Sequence, residues 1–117
     1  MAKAAADFAM LLPDGIATPH HHFLTAYVDG RVVGMLWLNL VDESIGRHAR
    51  VYNVVVEPAE RGHGYGRAIM LAAEQTSREM GAVSISLNVW GHNHIARNLY
   101  ESLDYQAVAI SMRKPLA

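Results

Sequence analysis

A glycine-rich segment at residues 61–66 (RGHGYG) is the part of this sequence whose residue types and spacing most clearly indicate chemistry. It follows a run of β-branched residues at positions 54–56 and precedes a segment with helical periodicity. A strand that turns through glycines into the start of a helix directs several backbone N–H groups towards one point, and the helix dipole favours negative charge there. We therefore interpret this segment as a binding site for a pyrophosphate group.

Two common phosphate-binding motifs do not fit the segment. In the dinucleotide-binding pattern G-x-G-x-x-G counted from Gly62, the last glycine is replaced by Arg67. The P-loop also fails, because no Gly-Lys-Ser/Thr follows. What remains is the pattern Arg61-x-x-Gly64-x-Gly66. For these residues alone, an ordinary glycine-rich turn is the alternative interpretation.

Composition is typical of a globular protein with a single domain. With 117 residues, of which 51% are hydrophobic and 18% charged, the chain is expected to form one domain over residues 1–117. The formal net charge of −1 gives no reason to expect nucleic acid or a membrane surface as a partner. The absence of cysteine excludes disulfides, thiolate metal sites and a cysteine nucleophile. Lacking a long apolar run and a secretion signal, the sequence predicts a soluble, cytoplasmic protein.

Periodicity and turn residues predict the elements that must position the glycine-rich segment. The N-terminal half is predicted to begin with a helix at residues 4–12 and a polar loop at 18–22. Strands at 23–28 and 32–40 follow, joined by an Asp29-Gly30 turn. A polar connection at 42–48 then leads to a strand at 49–56. In the C-terminal half the elements are a helix at 64–80 ended by Gly81, a strand at 83–89, a helix capped by Asn93, and one bent strand or two short ones at 106–113.

This order of elements predicts an α/β fold. Its mixed central sheet would have an antiparallel N-terminal meander and helices on both faces. Because both faces of the strand at 32–40 are apolar, that strand is predicted to be central and covered on both sides. Ligands bind where neighbouring parallel strands end at a crossover, and the glycine-rich turn is predicted to lie at such an end.

Two stretches in this order resemble the GNAT superfamily of acyl-CoA-dependent N-acyltransferases. The family's signature, Arg/Gln-x-x-Gly-x-Gly/Ala between a strand and a helix, is matched by Arg61, Gly64 and Gly66, and the preceding strand and proline by residues 54–58. The second stretch is matched by Leu87-Asn88-Val89, Asn93, Ala96, Leu99-Tyr100-Glu101 and Leu103. The family's usual Gly-Phe after this helix is Asp104-Tyr105 here, which keeps the aromatic ring and loses the glycine.

The resemblance is specific over residues 51–112 and weaker over 23–40. Members of the family usually begin with a strand and one or two helices that help to wall the acceptor groove. Only the end of that region, at residues 4–12, is recognisable in this sequence. The resemblance therefore implies an N-terminally shortened member, which either manages with a smaller sheet or covers the sheet edge with a partner, for example as a homodimer.

The resemblance assigns the binding of acetyl-CoA to specific positions. The pyrophosphate would be held by Arg67 and by backbone N–H groups of Arg61, Gly62, His63, Gly64, Tyr65 and Gly66. The strand Val54, Val55 and Val56 would pair with the pantetheine arm through its backbone and present an N–H group to the thioester oxygen. These valines also suit a core, and both roles are compatible because the contacts are main-chain. Asn93 would cap its helix, contact the cofactor, or do both.

The resemblance also implies catalytic roles. Tyr100 would protonate the departing coenzyme A thiolate; the alternative is that it packs in the apolar stripe of its helix. Glu57 is the carboxylate nearest in sequence to the proposed thioester site and is a candidate general base; the alternative is a solvated side chain.

The remaining histidines and tryptophans have simpler explanations. The histidines at 20–22 lack the spacing of metal ligands, and His92 and His94 crowd one helix start without an acidic cluster, so no metal site is predicted. Trp37 and Trp90 are expected to be core or groove-wall aromatics, and Trp37 could line the acceptor pocket.

We therefore expect an enzyme that moves an acetyl group from acetyl-CoA to a primary amine by direct attack, without a covalent enzyme intermediate. A non-catalytic acyl-CoA-binding module or partner subunit is the alternative.

Overall fold

A five-stranded mixed sheet is the centre of the computed structural model, which describes the backbone of residues 8–11 and all of residues 21–117. In chain order the elements are β1 Phe8–Leu11, β2 His21–Val28, β3 Arg31–Glu43, β4 Gly46–Val56, a 3₁₀ turn Pro58–Glu60, α1 Tyr65–Glu79, β5 Ala82–Leu87 and α2 His94–Ser102. Neither α-helix of these residues is long and apolar enough to cross a membrane.

The strands lie side by side in sequence order, so β3 is central as predicted. The pairs β1–β2, β2–β3 and β3–β4 are antiparallel, and β4–β5 is parallel because α1 provides the crossover. In the β2–β3 hairpin, Asp29 and Gly30 have φ angles of 50° and 79°, which are the positive values that a two-residue turn of this kind requires. The predicted α/β fold with an antiparallel N-terminal meander is confirmed.

The core forms where α1 packs on one face of the sheet. Leu24, Leu36 and Leu38 point to this face from β2 and β3, and each is at most 1% exposed. They meet Ile69 and Met70, two residues of the helix that are fully buried. Burying each such side chain contributes about 1.5–3 kcal/mol, so this layer fixes α1, and with it the glycine-rich turn, against the sheet.

The prediction of a helix at residues 4–12 is wrong where it can be compared. Residues 8–11 form β1, which pairs with β2 in the register Phe8↔Val28 to Leu11↔Thr25; positions 4–7 and 12 lie outside the described residues. Local helix propensity is weak, and the ladder offered by the edge of β2 outweighs it. The predicted loop at 18–22 is also wrong at His21 and His22, which begin β2, whereas 18–20 lie outside the described residues.

The predicted polar connection at 42–48 is a tight hairpin instead. β3 continues to Glu43 and β4 begins at Gly46, so only two residues turn the chain. Asp42 and Arg47 face each other across the strands and form an ion pair with an Nε–Oδ1 distance of 2.6 Å. Polar residues are compatible with these strands because this end of the sheet faces solvent. Residues whose polarity suggested a loop therefore pair as two antiparallel strands.

The prediction of strands at 106–113 is wrong as well. The chain after α2 forms neither helix nor strand, and Val108 and Ile110 are 93% and 74% exposed. Alternating apolar residues become a strand only when a neighbouring strand supplies the ladder, and within the described residues β5 pairs with β4 alone.

The second face of β3 is also more open than predicted, because Met35 is 38% exposed.

The remaining predicted elements are confirmed. The helix predicted at 64–80 is α1, with Gly64 as its N-cap and Met80 as its C-cap. Asn93 caps α2, since its Oδ1 accepts a hydrogen bond from the Ala96 N–H at 3.2 Å.

Substitution of Gly34 tests how closely β3, β4 and α1 pack against one another. A Cβ atom at this position would lie 2.4 Å from the Val55 carbonyl oxygen and 2.8 Å from Ile69 Cδ1. Gly34→Ala should therefore lower the free energy of unfolding by roughly 1–3 kcal/mol through overpacking, measured by urea denaturation. Gly91→Ala is the matched control, because a Cβ there meets nothing within 4 Å. Equal stability of the two variants would contradict the packing described.

Candidate active site

The sheet opens between its two parallel strands. β4 and β5 pair from Arg47↔Ala82 to Val51↔Leu87, and beyond these residues they separate. Residues 53–56 of β4 stay paired with β3 on one side, but no strand among the described residues pairs with residues 52–56 on the other. Backbone groups on that open edge, apart from the Val56 carbonyl that accepts from Arg61, can bind an extended ligand as an added strand would. The opening lies at the carboxyl ends of parallel strands, where α/β proteins bind ligands.

A β-bulge at Tyr52 accompanies the opening. Val51 is in register with Leu38 and Asn53 with Trp37, so Tyr52 is the extra residue on β4. A bulge bends its strand and increases the local twist. Because it falls directly after the last residue that pairs with β5, it turns β4 away from β5 at the place where the sheet opens.

The separated strands enclose a cleft of about 150 Å³. Residues 51–54 of β4 form one wall and residues 87–90 form the other, while α2 closes the cleft with Asn93, Ala96 and Tyr100. Of the predicted site residues, the structure thus brings together Val54, Asn93 and Tyr100.

The glycine-rich turn lies at the end of the open edge. From Val56 the chain passes through the 3₁₀ turn to Gly62 and Gly64, whose φ angles are 85° and 79°. Glycine adopts this left-handed conformation without the strain that other residues suffer. Gly64 is the N-cap of α1 and provides no side chain to cap it, so the first N–H groups of this helix face outwards without intrahelical acceptors. An anion is the natural partner for them.

Most polar side chains around the turn form hydrogen bonds that hold it to its neighbours. Arg61 Nε donates to the Val56 carbonyl at 3.3 Å, and His63 Nδ1 donates to the Glu60 carbonyl at 2.9 Å. Arg67 Nη1 donates to Ser102 Oγ at 3.1 Å, which ties α1 to the end of α2. The Arg61 N–H itself is directed at the Pro58 carbonyl, 3.5 Å away, so the outward N–H groups begin after this residue.

The one carboxylate within the 3₁₀ turn is paired. Arg31 donates to both oxygens of Glu60, at 3.1 and 3.2 Å. This hydrogen-bonded guanidinium lowers the pKa of Glu60, so the carboxyl stays ionised and bound to its partner. The pairing limits the repulsion that Glu60 would exert on an anion at the glycine-rich turn.

Tyr100 presents a phenol to the cleft from α2. Burial raises the pKa of its half-buried side chain, so the hydroxyl keeps its proton at neutral pH. The ring of Tyr105 meets it edge-on, with 5.9 Å between centroids. Tyr105 in turn donates to Glu74 Oε2 at 2.8 Å, and burial together with this carboxylate raises the pKa of Tyr105. Tyr105 therefore links the Tyr100 ring to α1.

Three predicted residues lie beside the cleft and do not line it. Val55 and Val56 continue the open edge towards the glycine-rich turn, and Glu57 is an exposed residue that follows them. The Glu57 N–H donates to the Val33 carbonyl at 2.8 Å, which keeps the end of β4 on β3. The Glu57 carboxylate is therefore not part of the cleft lining.

Sequence reasoning missed the cleft residues Tyr52 and Asn53. A tyrosine and an asparagine within a run of β-branched residues were a visible irregularity. Their position at the opening, however, depends on the register with β3, which the sequence of β4 alone does not contain.

Comparison with known proteins is consistent with this geometry. The model of the acetyltransferase (GNAT) family matches residues 3–105. The uncharacterized N-acetyltransferase YycN of Bacillus subtilis is 36% identical over 110 residues, which are 93% of this chain and 70% of YycN. A crystal structure of YycN superposes with a TM-score of 0.81 over 91% of this chain and 68% of that one. The uncharacterized N-acetyltransferase YdgE of Bacillus subtilis is 30% identical over 115 residues, 97% of this chain and 73% of YdgE. With its opened parallel strand pair and glycine-rich helix start, this chain belongs to the GNAT family of acetyltransferases.

Proposed function

We propose that this protein transfers an acetyl group from acetyl-CoA to a primary amine by direct attack. The observation that carries the proposal is the continuity of the site. The open edge of β4 runs from the cleft at Tyr52 to Val56 and leads into the outward N–H groups at the start of α1. A ligand with a reactive thioester, an extended arm and a diphosphate suits these three parts in that order.

The cosubstrate would be bound mainly by backbone. The N–H groups from Gly62 to Gly66, together with the guanidinium of Arg67, would hold the pyrophosphate of acetyl-CoA. Val54, Val55 and Val56 would pair with its pantetheine arm, and one of their N–H groups would stabilise the negative charge that develops on the thioester oxygen. Asn93, which caps α2, also faces the cleft and would contact the cosubstrate there.

The chemistry then needs two proton transfers. The neutral amine attacks the thioester carbon, a C–N bond forms, the C–S bond breaks and a coenzyme A thiolate departs. Tyr100 would donate its phenolic proton to that sulfur, for which its raised pKa keeps the proton available. Glu57 would accept the proton of the amine through water, because it lies outside the lining of the cleft.

The decisive experiment measures thiol release from acetyl-CoA with a panel of primary amines and, in parallel, the binding of coenzyme A. Turnover with at least one amine supports the proposed function. Binding of coenzyme A without turnover of any amine would contradict the enzymatic proposal and favour a non-catalytic binding module.

Tyr100→Phe tests the proton donor. The variant keeps the ring and its contact with Tyr105 but loses the phenolic proton, so kcat should fall by about 10²-fold while the KM for acetyl-CoA stays unchanged. Steady-state kinetics with a saturating amine measure both. Tyr27→Phe, which removes a phenol from β2 outside the cleft, is the control and should keep full kcat. A Tyr100→Phe enzyme with the kcat of the wild type would rule out the assigned role.

Gly64→Ala tests the pyrophosphate site. Alanine at a φ of 79° is strained by roughly 1–2 kcal/mol, and relief of this strain should displace the outward N–H groups. The dissociation constant of coenzyme A, measured by calorimetry, should rise about tenfold.

Gly81→Ala is the matched control for this change. Gly81 lies at the other end of α1 with a φ of 88°, so alanine there causes comparable strain without touching the proposed site. Equal affinities for coenzyme A in the two variants would contradict the assignment of the glycine-rich turn.

A further inference from the structure

Four aromatic side chains meet on the sheet face opposite α1. His21 and Phe23 come from β2, Trp37 from β3 and Tyr52 from β4; we call this group the ring wall. Phe23 stacks on Trp37 with 5.2 Å between centroids, and Tyr52 meets Trp37 edge-on at 5.0 Å. His21 lies 5.7 Å from Trp37 and 5.9 Å from Tyr52. Trp37 is thus the centre of the wall.

Hydrogen bonds fix the orientation of the ring wall and leave it uncharged. Trp37 Nε1 lies 3.0 Å from His21 Nδ1. An indole N–H can only donate, so His21 Nδ1 accepts and carries no proton while this bond exists. Asn39 Nδ2 donates to the Tyr52 hydroxyl at 3.2 Å and holds the second ring. Trp37 therefore uses its polar atom inside the wall and presents its ring as an apolar surface.

The ring wall is continuous with the cleft. Tyr52 is the bulge residue that lines the opening between β4 and β5, and it is also a member of the wall. Its side chain is 48% exposed, so ring surface remains accessible beside the proposed thioester site. The glycine-rich turn lies beyond the other end of the open edge, at the start of α1. A molecule on the wall would therefore approach the cleft from a different direction than the cosubstrate.

The positive charge of Arg50 discriminates among the amines that could bind to the ring wall. Arg50 is in register with Asn39 across β3 and β4, so its side chain emerges on the same face as the wall. Arg50 is exposed, and no hydrogen bond or ion pair engages it among the described residues. A molecule with several positive charges would be repelled by this guanidinium more strongly than an apolar body with a single amine.

We propose that the ring wall binds the acceptor and selects a primary amine that carries an aromatic group. The aromatic body stacks on Trp37 and contacts Tyr52, which directs the amine past the bulge into the cleft. This inference rests on the proposed function and adds the chemical class of its acceptor.

The wild-type enzyme provides the first test. Acetyl transfer is compared for 2-phenylethylamine, 2-cyclohexylethylamine, n-propylamine and spermidine. The value of kcat/KM should be highest for 2-phenylethylamine, and about tenfold or more above that for n-propylamine, since aromatic stacking adds to apolar burial. Equal values for 2-phenylethylamine and n-propylamine, or a preference for spermidine, would overturn the proposal.

Substitution of Trp37 tests whether the ring wall causes the preference for 2-phenylethylamine. Trp37→Leu should raise the KM for 2-phenylethylamine about fivefold to tenfold and reduce the preference for 2-phenylethylamine over n-propylamine by a similar factor. Trp37→Phe retains a ring and should keep most of the preference, which also provides a folded variant if leucine disturbs the sheet. Val41→Ala, on the same face of β3 but outside the wall, is the control. A preference that survives Trp37→Leu would overturn the proposal.

A binding measurement separates this inference from the proposed function. Calorimetric titration of 2-phenylethylamine into the protein with coenzyme A present should show binding that Trp37→Leu weakens. If no amine is acetylated but this binding is observed, the proposed function fails and the ring wall stands. If amines are acetylated but 2-phenylethylamine binding is unaffected by Trp37→Leu, the ring wall fails and the proposed function stands.

Discussion

The separation of β4 from β5 after Val51 and Leu87 is the constraint on which the rest of this molecule depends. A parallel strand pair gains stability by staying paired, and here the pairing ends while β4 continues for five residues against β3. The bulge at Tyr52 makes this compatible with a continuous β3–β4 ladder, because the extra residue bends only β4. The cleft, the open backbone edge and the ring wall all begin at this residue.

Packing away from the cleft holds the opening in place. The buried layer of α1 on β2 and β3 fixes the helix start at the end of the open edge. The Arg31–Glu60 pair joins the start of β3 to the 3₁₀ turn, and Tyr105 joins the C-terminal end of α2 to Glu74 on α1. An exposed ion pair such as Arg31–Glu60 contributes little to stability by itself. Both contacts orient elements that the core already holds, so that the glycine-rich turn keeps its place at the end of the open edge and Tyr100 keeps its place in the cleft lining.

How far the sequence predicts this structure depends on whether the information is local. The ends of α1 and the cap of α2 followed from Gly64, Gly81 and Asn93, because caps act within one helical turn. Strands depend on partners: residues 8–11 became a strand against β2, and 106–113 did not because no strand adjoins them in the described structure.

The residues of the candidate site also differ in whether local sequence predicts them. The glycine-rich turn and Tyr100 carry motifs and could be found from the sequence, whereas Tyr52 and the ring wall depend on the register of three strands. Trp37 was recognisable as a candidate wall residue, but its bond to His21 joins residues 16 positions apart and requires the β2–β3 pairing.

Hydrogen exchange of individual backbone amides, measured by NMR with and without coenzyme A, tests the central claim most directly. If the open edge and the helix start together bind the cosubstrate, coenzyme A should slow exchange in two segments, residues 54–56 and residues 62–66, while the α1 core around Ile69 changes little. Protection confined to another part of the molecule, or binding that protects neither segment, would contradict the account.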